Sequence, residues 1–92
     1  NLDKQQLAEI ARLEFRNLEE RLYRKNLKLN ISDAAISLLV ERSYDYVYGA
    51  RPLKRIIKKE IEANIANNIL NNRYKSTNLV RIFEKDNNLV IE

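Results

Sequence analysis

Arg51 stands between the Gly49-Ala50 step and the single proline of the chain, Pro52, and Lys54, Arg55, Lys58 and Lys59 follow closely behind it. Guanidinium and ammonium groups do the chemistry of anions, and the planar guanidinium holds a phosphate or carboxylate through two parallel hydrogen bonds. Pro52 suits the first turn of a helix, where its fixed φ and missing N–H cost nothing. That helix then carries positive charge at the end where its own dipole is already positive, at a cost of a few tenths to about 1 kcal/mol per cation. An anion set against the free N–H groups of the first turn reverses the sign. Three arrangements fit this pattern. The basic residues can form a solvated face with Glu60 and Glu62 as partners. Arg51, Lys54 or Arg55, and Lys58 share a face and can track a phosphate backbone. Or one bound phosphate can occupy the helix start.

Composition removes other chemistries. The 92 residues include no cysteine and no histidine, which excludes disulfides, the usual zinc ligands, thiol nucleophiles and His-based triads. A net charge of +4 is modest and does not by itself call for a nucleic-acid partner. There is no Gly-rich phosphate loop ending in Lys-Ser/Thr, no acidic magnesium motif and no catalytic base in context, so the chain alone is not expected to hydrolyse ATP. No apolar run approaches the roughly 18 residues of a membrane span, and the N-terminus lacks a signal-peptide layout. A soluble, intracellular chain is expected, with no membrane partner.

One glycine and one proline imply long elements and few sharp turns. Leu7, Ile10, Ala11, Leu18 and Leu22 recur at helical spacing, predicting a helix over residues 3–25 with Asp3 as N-cap, and Leu13 and Phe15 widen its apolar arc. Residues 27–31 alternate as a short strand. Ser32 then caps a second helix over residues 33–42 that buries Ile36, Leu39 and Val40, with Ile31 and Ile36 placed as a hydrophobic staple. From Leu53, the spacing of Ile57, Ile61, Ile65 and Ile69 predicts a third helix stopping at Asn71 and Asn72. Residues 79–84 and 88–92 form a hairpin whose Asp-Asn-Asn turn supplies the positive-φ residues. The fold class is therefore α+β, one domain over residues 1–92, with about three helices on one face of a three-stranded sheet. In the loop before the third helix, Tyr44, Tyr46 and Tyr48 alternate, and packing of Tyr44 and Tyr48 on this core and on a neighbouring domain is expected.

The run YDYVYGARPLKRIIKKEIE, residues 44–62, resembles the sensor-two motif of Clp-family AAA+ unfoldases. The likeness extends through LNISDAAISLL and the terminal hairpin ending in VIE, and the whole chain looks like the C-terminal small domain of ClpB-type disaggregases. Tyr46 departs from the pattern, since the family usually has proline there, and the loop loses a fixed φ. The resemblance implies that Arg51 reaches the γ-phosphate of ATP held by a preceding large domain, that Gly49 and Ala50 lie where the backbone passes the nucleotide, and that Ile10 lines the adenine side. It implies ATP/ADP as cofactor, with magnesium held by the large domain and no metal site in this chain. It also implies partners: the chain's own large AAA+ domain, neighbouring subunits of a homohexamer, unfolded or aggregated protein substrates and Hsp70-type co-chaperones, in the cytoplasm or the interior of an organelle of bacterial origin. The last strand, residues 88–92, offers an edge to a neighbour. A small basic nucleic-acid-binding module is the rival, but the isoleucine stripe commits one side of the third helix to the core and Glu60 and Glu62 interrupt the basic run, so no nucleic-acid partner is expected.

Overall fold

The computed structural model describes residues 2–44 and 48–92; the expectation for Tyr46 lies outside them. Helix α1 (Lys4–Tyr23) starts at a capping box in which Asp3 accepts from the Gln6 amide at 2.7 Å and the Gln6 side chain accepts from the Asp3 amide at 3.0 Å. Its buried face is Leu7, Ala11, Phe15, Leu18 and Leu22, spaced by three and four. Ile10 is only half-buried at the edge of that face, packed on the core. Leu13 does not widen the arc: it points away from the core and is 52% exposed.

Strand β1 (Lys28–Ile31) leads into α2 (Asp33–Ser43), where the Ser32 hydroxyl accepts from the Ala35 amide at 3.1 Å as the sequence predicts. Ile36, Leu39 and Val40 are buried. Next come α3 (Arg51–Ile56), a π-helical segment (Ile57–Glu62) and α4 (Ala63–Leu70). They form one rod, because the junction residues Ile57 (φ −60°, ψ −47°) and Ala63 (φ −64°, ψ −40°) keep right-handed helical angles. Counted as one helix, the rod gives the three helices expected.

The π segment has a cause in the sequence. Leu53, Ile57, Ile61 and Ile65 are all buried and recur strictly every four residues, whereas an α-helical turn takes about 3.6 and the stripe would drift about 40° per step. Hydrogen bonds from i to i+5 widen the turn, and the stripe stays on the core side. Deleting exposed Lys59 leaves a four-three-four spacing that suits an uninterrupted α-helix. The variant is therefore expected to fold, with its thermal midpoint within about 10 °C of the parent chain, a loss of at most about 2 kcal/mol. Thermal unfolding by circular dichroism checks this, and an unfolded deletion variant would refute the account.

Strands β2 (Leu79–Lys85) and β3 (Asn88–Ile91) form the predicted hairpin, with Asp86 (φ 52°) and Asn87 (φ 63°) as its positive-φ turn. The sheet order is β1-β2-β3, with β1 parallel to β2 (Leu29 opposite Val80) and β2 antiparallel to β3 (Phe83 opposite Val90). The helices cover the face carrying Val80 and Ile82, both buried. On the other face Arg81 stacks 5.0 Å from the centre of the Phe83 ring and pairs with Glu92 at 2.7 Å. Between the rod and β2, in a stretch the sequence marks only as a connection, Tyr74 enters the core and its hydroxyl accepts from Asn68 Nδ2 at 2.9 Å.

Candidate functional site

The turn into α3 is made by Gly49 in the left-handed region (φ +62°) followed by Ala50 (φ −86°, ψ −4°), and the Arg51 amide donates to the Tyr48 carbonyl at 3.3 Å. Among the described residues a Cβ on Gly49 would meet Leu2 Cδ1 at 3.6 Å, an ordinary contact. Against the described residues, then, the glycine is needed for its φ. Ala50 offers no side-chain cap, and no acidic residue stands in the first turn of α3. The free N–H groups at this helix start thus have no compensating anion from their own turn.

Nor does the rest of the described chain supply one. Glu62 pairs with Arg21 of α1 at 2.9 Å, and Lys54 is drawn to Glu14 at 3.9 Å. Glu60 makes no ion pair among the described residues. The basic residues Arg51, Lys54, Arg55, Lys58 and Lys59 do form an exposed face, but among the described residues Glu60 and Glu62 are not their ion-pair partners. Arg51 and Arg55 are both exposed, and among the described residues neither side chain has a hydrogen-bond or ion-pair partner. They are one turn apart on the same helix face, where like charges destabilise by about 0.2–0.5 kcal/mol, on top of the dipole term.

Tyr48, Arg51, Pro52 and Arg55 line a cleft of about 370 Å³, and among the described residues no carboxylate joins its wall. Tyr48 is 60% exposed, whereas Tyr44 packs on the core, under the Lys4 ammonium 5.4 Å from its ring centre. The geometry brings Gly49, Ala50 and Arg51 together at one turn. Ile10 is not among the residues lining the cleft; it sits one helical turn before Glu14 on α1. Arg55 joins Arg51 in a way the sequence offers only as a stripe along the helix, although the i to i+4 spacing carries the signal. Among the described residues no group of three or more acidic, His or Cys side chains could hold a metal ion, and no helix is long and apolar enough to cross a membrane.

Fold and site together define a small α+β domain that presents an arginine-lined cleft. Residues 2–82 match the family model described as the C-terminal, D2-small domain of ClpB protein, and the chain belongs to that family. It is 41% identical over 92 residues to Chaperone protein ClpB 1 of Synechococcus elongatus, covering 100% of this chain and 10% of that protein. It is 42% identical over 74 residues to Chaperone protein ClpB3, chloroplastic, of Arabidopsis thaliana, covering 80% and 8%. With Chaperone protein ClpB of Rickettsia typhi the identity is 35% over 91 residues, 99% of this chain and 11% of that protein. The chain thus spans about a tenth of the length of these relatives.

Proposed function

We propose that this chain is the nucleotide-sensing small domain of an ATP-dependent protein disaggregase, in which Arg51 contacts the γ-phosphate of ATP bound by the large domain. The observation that carries the proposal is the exposed Arg51 guanidinium, without an ion-pair partner among the described residues and set by the Gly49 turn at a helix start with no acidic residue in its first turn. Gly49 and Ala50 bring the backbone alongside the nucleotide, and Ile10 borders the adenine from α1. ATP or ADP is the cofactor, with magnesium held by the large domain. When hydrolysis removes the γ-phosphate, Arg51 loses its partner and the angle between the two domains relaxes. That motion is transmitted to neighbouring subunits of a hexamer and so to an unfolded or aggregated protein substrate, with Hsp70-type chaperones as co-workers.

These 92 residues hold no cysteine, so a single introduced one is unique within this domain, and any cysteine elsewhere in the parent is first replaced. A dye on Asn67→Cys, exposed on α4, and a second dye on the large domain of the full-length parent report the angle by energy transfer. Transfer efficiency is expected to differ between the ATP and ADP states and to stop responding in Arg51→Ala. Equal efficiency in both states of the unsubstituted protein would sink the hinge.

A further inference from the structure

We propose that Arg55 is a second oxyanion ligand in the same cleft, so that the cleft takes the polyphosphate chain of a nucleotide with a separate phosphoryl group on each guanidinium. The inference rests on the Arg51 proposal and extends it to the adjacent phosphate. Arg51 and Arg55 line one cleft, and among the described residues no carboxylate lines it with them. Neither guanidinium has a partner in the described chain, although Lys54, between them in sequence, leans to Glu14 and Arg21 finds Glu62. Residues spaced i and i+4 stand side by side on a helix, close enough for neighbouring phosphoryl groups of one chain and too close for two unneutralised cations to be favourable. One monoanionic oxygen would relieve only part of that repulsion, whereas consecutive phosphates satisfy both groups. Rigid placement comes from the rod: Leu53, between the two arginines, is fully buried, and so is Ile57 beyond them. If Arg51 meets the γ-phosphate, Arg55 meets the phosphate before it, which ADP also has.

The two arginines therefore differ in what they distinguish. In the full-length parent, Arg55→Gln is expected to weaken ADP and a non-hydrolysable ATP analogue alike, by about tenfold each, whereas Arg51→Gln weakens the ATP analogue selectively. Arg55→Lys recovers part of the loss, because a point charge remains without the bidentate fork. Inorganic pyrophosphate should compete with ADP less well for Arg55→Gln than for the unsubstituted protein. Calorimetric titration of each variant, with its unfolding midpoint as a check on folding, gives the affinities. If Arg55→Gln leaves both affinities within about twofold while Arg51→Gln still weakens the ATP analogue, Arg55 is not a phosphate ligand and the sensor role stands alone. If Arg55→Gln alters the turnover rate and neither affinity, Arg55 holds a carboxylate across the domain boundary and the proposal is overturned. If neither variant changes any affinity, the sensor assignment falls as well.

Discussion

Arg51→Ala in the full-length parent is expected to lower ATP affinity by about 10- to 100-fold, the worth of a hydrogen-bonded charge pair of roughly 1.5–3 kcal/mol, and to leave ADP affinity far less changed. The discrimination follows from where the side chain would act, since only the triphosphate carries the group it contacts. The same substitution in the isolated chain should do the opposite to stability. Arg51 is exposed at the positive end of a helix, one turn before Arg55, and among the described residues neither has a partner, so alanine removes repulsion and no contact seen there. An unfolding midpoint unchanged or raised by about 2–4 °C is expected from a few tenths of a kcal/mol. Opposite signs for ligand affinity and fold stability are the mark of a residue kept for function. A midpoint that falls by more than about 5 °C, or an ATP affinity that stays unchanged, would mean that Arg51 is structural.

Why the sequence marks the turn before α3 so clearly, and other parts less so, has a physical basis. Local chemistry writes the caps and turns: Ser32 accepts the Ala35 amide, and Asp86 and Asn87 take positive φ in the hairpin. Pro52 fixes where α3 starts to within a residue. Asn72, expected as a helix stop, adopts φ 58°, and Asn26 and Asn78 use the same left-handed region at other element ends. These asparagines do the work that glycine does elsewhere, in a chain with a single glycine. Features that depend on partners distant in sequence are harder to read. Nothing local states that β1 runs parallel to β2, or that Tyr74 turns inward to meet Asn68. Leu13 fits an apolar count for α1, yet the arc is closed by Phe15 and Ala11, and Leu13 is left outside. The π segment was legible in principle, because a strict four-residue apolar repeat cannot stay on one face of an α-helix.

Leu53→Ala is expected to be the most damaging single truncation near the site, costing about 2–5 kcal/mol. For a domain of this size that is a fall of roughly 10–30 °C in the unfolding midpoint. Leu53 has no exposed surface, and α3 packs against both α1 and α2, so the cavity left by alanine has rigid walls on several sides and cannot easily collapse. Its effect should also reach the cleft, because Leu53 is the first residue of the buried stripe and fixes the rotation of the turn that carries Arg51 and Arg55. Leu53→Met, close in volume, should keep most of the stability, with a loss below about 1.5 kcal/mol. In the full-length parent, measured well below its own unfolding midpoint, Leu53→Ala is then expected to weaken ATP binding although Leu53 touches no ligand, while Leu53→Met leaves it near normal. A midpoint shift under about 5 °C for Leu53→Ala would show that the rod is not anchored at this residue. Full ATP affinity in a variant that has lost the expected stability would show instead that the large domain, and not the core beneath α3, sets the bearing of Arg51.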